Sequence, residues 1–200
     1  LLPHHELKLY GQGDEQDMAV DNRILSDTTK RCEHLQKYRD GAICVNFETV
    51  AEYNQDKNRE IFKHSLVYIF HDVIDKNGHN GTSKEIVTNC RTAIKELATM
   101  IPKIHASYNV TEVYVTSDHG FLFNDIQFAE KDKHKINEEC LERSTRYYLT
   151  NSEKEEPGVI KFRLDTVSGM LNASNVMVAV PQGTNRFAAP SGGYMFTHGG

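Results

Sequence analysis

Two adjacent polar residues, Asp118 and His119, directly follow a short run of β-branched and aromatic residues at 112–117. Such a run predicts a strand, and Gly120 after the pair allows the backbone to turn away sharply. In α/β sheets, functional sites are built where strands end at their carboxyl side. One oxygen donor and one nitrogen donor at such a point suit a divalent metal ion, although an Asp-His pair after a strand also occurs as a simple turn and cap.

Three further residues carry the same kinds of donor atom. Asp75 and His79 are four positions apart, and Gly78 between them lets a loop fold back, while His198 lies near the last residue. Mixed carboxylate and imidazole ligands suit Zn²⁺ or Mn²⁺ better than Ca²⁺ or Mg²⁺. Five donors exceed one tetrahedral site and suit a pair of ions, which clamp the attacking and leaving oxygens in a phosphoryl transfer. A lone histidine such as His198 is more often structural, so the prediction depends on all the motifs together.

A strand, a helix and a second strand are expected to bring these donors to one edge of a sheet. Residues 66–70 form a continuous apolar run, typical of a strand buried on both faces. Apolar residues then recur at helical spacing: Ile86, Cys90, Ile94, Leu97 and Ile101. With the strand at 112–117 this is a βαβ crossover, whose two strands are parallel and end at the same edge. The predicted fold class is therefore α/β, with a mostly parallel sheet and flanking helices.

The residue pattern in the rest of the chain predicts three further strands, at 42–45, 159–164 and 176–180. Residues 125–157 are rich in charged side chains and are interpreted either as an insertion or lid over the site, or as a solvated charged face. Arg146 within this segment and Arg186 in a turn-rich loop are candidate anion contacts. The four cysteines form no closely spaced pair, which favours free thiols in a reducing cytoplasm.

Length and charge narrow the classes of protein to which the chain can belong. Its 200 residues are enough for a single domain with a sizeable core. The net charge of −5 argues against non-specific binding to a phosphate backbone. No apolar run approaches the ~18 residues that would cross a membrane. Because the chain starts without a methionine, we expect it to be an excised piece of a longer protein.

The order of the motifs is more specific than any one of them. Asp-x-x-x-His, Asp-His-Gly and His-Gly-Gly occur in that order, which resembles the alkaline phosphatase superfamily. More closely, the chain resembles a PglZ domain, found in bacterial phage-defence systems of the BREX type. The residues that carry this resemblance cover nearly the whole chain, which is then one partial domain over 1–200: 1–4, 68–75, 116–121, 146–147 and 196–200.

The resemblance implies a role for each motif. Asp75, His79 and His198 would hold one divalent ion, and Asp118 and His119 would hold the second. The superfamily also uses an Asp on its first strand and a Ser or Thr nucleophile, and neither has a matching position here. The nucleophile is therefore expected upstream of the chain, and no catalytic residue is assigned.

Two residues at the end of the strand at 66–70, His71 and Asp72, also fit the PglZ pattern. They would either orient the metal ligands or make ordinary hydrogen bonds at the strand end.

The activity implied is that of a metal-dependent phosphatase or phosphodiesterase in the cytoplasm. Its substrate would be a phosphate ester, with nucleotides and nucleic acids among the candidates, and its partners would be other defence-system proteins. The alternative is a non-catalytic scaffold or regulatory module that keeps a metal site for stability. In either case the isolated piece is expected to be inactive.

Overall fold

The computed structural model describes residues 2–11, 17–78, 83–123, 133–188 and 196–198. The chain divides into two compact units, which are described one at a time. The first contains Leu1–Pro3 and Leu25–Asp118, and the second contains His4–Ile24 and His119–Gly200. The prediction of one domain over the whole chain stays a prediction. Across the described residues, every helix is too short or too polar to cross a membrane.

Helices and strands alternate in the first part of the described chain, and strands dominate the last part. The helices are α1 (Thr28–Tyr38), α2 (Phe47–Glu52), α3 (Gln55–Ile61), α4 (Val73–Gly78), α5 (Ser83–Tyr108) and α6 (Leu164–Ser168), with a 3-10 helix at Leu171–Ala173. The strands are β1 (Leu7–Tyr10), β2 (Asp17–Val20), β3 (Arg23–Ile24), β4 (Ala42–Asn46), β5 (Leu66–Phe70), β6 (Phe121–Phe123), β7 (Lys133–His134), β8 (Glu142–Arg143), β9 (Tyr148–Thr150), β10 (Val159–Arg163), β11 (Met177–Pro181), β12 (Arg186–Phe187) and β13 (Phe196–His198).

The first unit contains a pair of parallel strands. β4 and β5 run side by side, with Cα partners from Ala42↔Leu66 to Asn46↔Phe70. This confirms the strands predicted at 42–45 and 66–70. Apolar side chains of both strands, Val45 and Ile69, pack against a cluster of buried residues from α2 and α5: Phe47, Val50, Met100, Ile104 and Tyr108.

The predicted helix is confirmed as α5, which is 26 residues long. Ile86 of the predicted stripe is buried, but farther along the helix the buried face differs, because Ile94 is 68% exposed while Ala93 is buried. Pro102 lies inside the helix. A proline cannot donate the backbone hydrogen bond to the carbonyl four residues earlier, which here belongs to Ala98. Because both Pro102 and Ala98 are exposed, the Ala98 carbonyl lies on the side of the helix that faces water. Asn109 follows with a φ of +56°, a left-handed conformation that ends the helix.

The strand predicted at 112–117 is wrong. None of the ladders among the described residues includes this segment. Tyr114 is 84% exposed and Val115 is 61% exposed, whereas Val113 packs against the core cluster of the first unit. A strand requires a neighbour for its backbone amides and carbonyls, and no described strand supplies one here. The predicted βαβ crossover is therefore incomplete.

The second unit is mostly antiparallel. Its four-stranded sheet has the order β10-β11-β9-β8, and β1, β2 and β3 form a separate sheet. The strands predicted at 159–164 and 176–180 are confirmed as β10 and β11. Only β7 and β12 pair in parallel in this unit's described residues, so the prediction of a mostly parallel sheet is not confirmed. β8 and β9 are consecutive strands, and a short connection of this kind joins antiparallel strands.

The charge-rich segment contributes to this sheet instead of lying outside it. Residues 124–132 are outside the described residues, but β8 and β9 follow in the sheet. Tyr148 of β9 is fully buried and clusters with Ala179 and Phe187. Its ring meets the Phe187 ring edge-on at 4.9 Å. Between 142 and 150 the structure therefore shows part of a core, where the sequence had indicated a lid or a solvated face.

A charged cluster lies beside this core. Lys161 Nζ is 2.6 Å from Glu138 Oε1, with only 8% and 15% of the two side chains exposed. The Tyr148 hydroxyl donates to the same carboxylate at 2.6 Å. Burial by itself raises the pKa of Glu138, but the hydrogen bonds from Lys161 and Tyr148 outweigh it and the pKa is lowered. The carboxylate is therefore ionised in the folded protein at neutral pH.

Candidate functional site

Asp118 and His119 lie in an exposed stretch between α5 and β6. Residues 114–120 are all exposed. The His119 Nδ1 atom lies 3.0 Å from the Gly120 carbonyl oxygen. β6 begins directly afterwards at Phe121, so in this structure the pair is placed by the strand that follows it. The sequence had predicted the opposite, a strand that ends at the pair.

His198 is brought next to this stretch by the pairing of β6 with β13. The two strands are antiparallel, with Phe196 opposite Phe123 and His198 opposite Phe121. Opposite residues in an antiparallel ladder have Cα atoms about 4.5–5.5 Å apart. The backbone of His198 therefore lies beside a residue only two positions after His119. The backbones of these two histidines, which come from motifs far apart in sequence, are thus near each other within the second unit.

The third motif lies on a short helix. Asp75 is exposed in the first turn of α4, where a loop had been predicted. The helix begins after Asp72, whose carbonyl accepts a hydrogen bond from the Lys76 amide at 2.9 Å. His79 lies outside the described residues. Among the residues that the structure describes, no three His, Cys, Asp or Glu side chains gather closely enough to hold a metal ion. The five-ligand set stays a prediction: Asp75, His79, Asp118, His119 and His198.

His71 connects the end of β5 to α5. Its Nε2 atom lies 2.8 Å from Glu96 Oε2, and its ring meets the Phe47 ring edge-on at 4.7 Å. The structure shows this hydrogen bond for His71, and a role for His71 and Asp72 in orienting metal ligands stays a prediction. Glu96 was not among the residues predicted for the site. The sequence pattern that could have indicated Glu96 is helical spacing, because Glu96 lies three residues after buried Ala93 and four before buried Met100.

The two arginines predicted as anion contacts lie close together in the second unit. Arg186 is only 3% exposed, and the neighbouring amide of Phe187 donates to the Thr145 carbonyl at 2.9 Å. Arg146 donates to the Asn185 carbonyl. Burial lowers the pKa of Arg186, and the positive charge of Arg146 lowers it further. Burial also lowers the pKa of Arg146. Two guanidinium groups this close create a region of positive potential that favours an anion.

Comparison with known proteins decides the family. A family model described as the BREX system PglZ alkaline phosphatase-like domain matches residues 1–200. The chain belongs to the PglZ family. Two curated PglZ relatives are the alkaline phosphatase-like protein PglZ of Bacillus cereus (strain H3081.97) and the alkaline phosphatase-like protein BrxZ of Escherichia coli O9:H4 (strain HS), each 27% identical over 205 residues.

Each alignment with these PglZ proteins covers all of this chain and 23% of the relative. The chain therefore spans about a quarter of the length of the curated relatives. No solved structure matches it significantly. The resemblance predicted from the order of the three motifs is confirmed at the level of the family.

Proposed function

We propose that this chain is the metal-binding part of a metal-dependent phosphatase or phosphodiesterase domain in a phage-defence protein. The observation that supports this most is the register of β6 with β13. It places the backbone of His198 beside Phe121, two positions after His119. The backbones of two distant motifs therefore approach each other, as a site for a pair of ions requires.

The donor chemistry of the three motifs fits a divalent ion. Asp118, His119 and His198 would supply ligands, together with Asp75 and His79 as the family resemblance implies. Carboxylate and imidazole donors favour Zn²⁺ or Mn²⁺. A pair of such ions, when bound, would polarise the phosphoryl oxygens of a substrate. The exposure of Asp118 and His119 leaves them accessible to an ion and to a phosphate ester.

The two arginines would contribute the positive charge that a phosphate group needs. Arg146 is partly exposed and would contact the anion directly through its guanidinium group. Arg186 is buried and would act by its charge through Arg146 rather than by contact. The substrate would be a phosphate ester, and a nucleotide is one candidate.

The full-length protein provides the test, because the whole protein is about four times longer than this chain in its relatives. Hydrolysis of bis(p-nitrophenyl) phosphate is measured with Zn²⁺, with Mn²⁺ and with EDTA. Asp118→Asn is expected to lower kcat/KM by more than the roughly 10- to 100-fold that follows loss of an outer-shell partner. Asp56→Asn, a change at an exposed carboxylate on α3, is the matched control and is expected to leave kcat/KM unchanged.

Two outcomes would count against the proposal. Equal activity of the Asp118→Asn and Asp56→Asn proteins would remove Asp118 from the site. Absence of hydrolysis with every metal, while binding to other defence-system proteins persists, would favour a scaffold or regulatory role. The 200-residue chain by itself is expected to show no turnover.

A further inference from the structure

Two of the four cysteines contact each other on neighbouring elements of the first unit. Cys32 lies on α1 and Cys44 lies on β4. Both are free thiols and half-buried, and their side chains are hydrogen-bonded to each other. Their spacing in the sequence matches no metal-binding or redox motif. The fold alone therefore brings this pair of thiols together.

A tight turn between α1 and β4 explains why the two thiols meet. α1 ends at Tyr38 and β4 begins at Ala42, and the Ala42 amide donates to the Arg39 carbonyl at 3.1 Å. Gly41 completes the turn with a φ of +73°, a left-handed conformation that favours glycine. Because the turn is so short, α1 folds back and packs against β4. The helix and the strand therefore run in opposite directions.

The contact between the thiols is one step farther from the turn than a second contact of the same kind. The Gln36 side-chain amide donates to the Ala42 carbonyl at 2.9 Å. Cys32 lies one helical turn before Gln36, about 6 Å along the helix axis and on the same face. Cys44 lies two residues after Ala42, about 6.6 Å along the strand. Since the two steps have nearly equal lengths, the packing of α1 on β4 places Cys32 over Cys44.

The surroundings give the two thiols different roles in a reaction. Burial, followed by the hydrogen bond with Cys32, raises the pKa of the Cys44 thiol from 9.0 to about 12. Cys44 is therefore protonated at neutral pH. Thiolates attack electrophiles and thiols do not. Cys32 would consequently be the sulfur that reacts first, and Cys44 would react with the product formed at Cys32.

We propose that Cys32 and Cys44 form a reversible disulfide on exposure to hydrogen peroxide, and that this bond fixes α1 against β4. A disulfide places its sulfur atoms about 2 Å apart, and thiols already in contact need only a small approach to reach that distance. In reducing compartments the disulfides that do form are usually transient and redox-sensing. This inference does not depend on any catalytic activity.

The reaction takes place in two steps. The Cys32 thiolate attacks one peroxide oxygen, so that an S–O bond forms and the O–O bond breaks; the hydroxide that leaves takes up the proton lost by Cys32 and becomes water. The Cys44 sulfur then attacks the Cys32 sulfur, so that the S–S bond forms and the S–O bond breaks. The second hydroxide leaves with the Cys44 proton as water. The two thiols are oxidised by two electrons, the peroxide is reduced to water, and exchange with a dithiol restores both thiols.

Peptide mapping of the full-length protein tests whether this bond forms. The protein is treated with hydrogen peroxide, the remaining thiols are blocked with N-ethylmaleimide in denaturant, and trypsin is added without reductant. Trypsin releases Cys32 in peptide 32–37 and Cys44 in peptide 40–57, so the cross-linked product has its own mass. Cys140 is the internal control, because it is also half-buried but its thiol donates to the Glu138 carbonyl. The cross-link is expected to form at least about 10-fold faster than Cys140 is oxidised, because the two reacting sulfurs are held together.

The cross-linked peptide is also expected to disappear after treatment with dithiothreitol. Recovery of both peptides with N-ethylmaleimide attached would overturn the proposal. Recovery of Cys32 as a sulfinic acid without a cross-link would overturn it as well. A cross-link confined to disulfide-bonded dimers on a non-reducing gel would mean that two chains supply the thiols, which also contradicts the proposal.

A matched pair of serine variants tests the effect of the bond on α1. Cys44→Ser is compared with Cys140→Ser in the full-length protein, and each is measured against its own reduced form so that any effect of the substitution itself cancels. Peroxide is expected to slow the exchange of α1 amides at least about 10-fold in wild type and in Cys140→Ser, because the bond restrains opening of the helix. Cys44→Ser is expected to show no slowing. Equal slowing in both variants, or none in wild type, would show that this disulfide does not fix α1.

Discussion

The four-stranded sheet of the second unit and the parallel pair of the first unit obtain their strand partners in different ways. β8, β9, β10 and β11 all lie within residues 142–181 and pair antiparallel with one another, with β9 joined to β11 rather than to β10. β4 and β5 are separated by two helices, and the strand-like segment at 113–116 stays unpaired among the described strands. Antiparallel sheets can close locally, whereas parallel sheets depend on partners that are distant in sequence. Within the described residues, the second unit therefore holds the larger of these two sheets.

The largest expected effect is in the locally closed sheet. Tyr148→Ala removes a fully buried ring that packs on Phe187, so it is expected to cost about 3–5 kcal/mol of stability. Tyr10→Ala, at a tyrosine that is 45% exposed in the same unit, is the control. The loss of stability in each variant is measured from the hydrogen-exchange rates of the β9 and β11 amides in the full-length protein. Similar losses for the two variants would show that Tyr148 does not anchor this sheet.

The ion pair beside that core gives the next largest effect. Lys161→Met leaves the carboxylate of Glu138 with little solvent and without its cation, which is expected to cost roughly 3 kcal/mol. The matched control is Lys154→Met, at an exposed lysine of the same segment. The β10 and β11 amides report the change by hydrogen exchange. If Lys161→Met lowers stability no more than Lys154→Met does, the ion pair of Lys161 with Glu138 does not stabilise the core.

Acid should weaken the same sheet through Glu138. Its pKa is lowered below the ordinary 4.5 in the folded protein. The stability it contributes is therefore fully present above 4.5 and is lost as the pH falls through the lower folded value. The stability difference between wild type and Glu138→Gln, measured by limited proteolysis in urea, is expected to stay constant above 4.5 and to shrink below it. Glu155→Gln, an exposed control, should show no such change with pH.

The smallest effect is expected in the first unit. Glu96→Gln removes the charge that faces His71, but the pair is partly exposed, with 15% and 37% of the side chains accessible. The expected loss is about 0.5 kcal/mol. Glu52→Gln, at an exposed carboxylate on α2, is the control. The loss of stability in each variant is measured by hydrogen exchange of the β5 amides. A loss as large as that of Lys161→Met would contradict the contrast between the two units.

Much of the local structure could be predicted because it depends on short-range patterns. β4, β5 and β11 were visible as short apolar runs, and β10 was visible from its alternating pattern. α5 was visible from its helical spacing, although beyond Ile86 its buried residues, such as Ala93 and Met100, lie one position before the predicted ones. The family was also accessible, because the residues that carry the order of the Asp, His and Gly motifs extend over nearly the whole chain.

The rest depended on partners that a sequence does not show. Residues 112–117 have strand composition, yet a strand forms only when another strand supplies its hydrogen bonds. β9 was hidden because Tyr148 and Leu149, which are buried, lie among many charged residues. The contact of His71 with Glu96 joins positions that only the packing of α5 on β5 brings together. The approach of the His198 backbone to that of His119 required the register of β6 with β13.

The metal content of the full-length protein tests the central claim most directly. After purification without chelators and exhaustive dialysis, Zn²⁺ and Mn²⁺ per chain are measured by mass spectrometry for wild type, Asp118→Asn and His198→Gln. His105→Gln, an exposed histidine on α5, is the control. The account predicts that Asp118→Asn and His198→Gln each lose metal while His105→Gln keeps the wild-type content. Full metal content in both ligand variants would contradict a site shared by these two motifs.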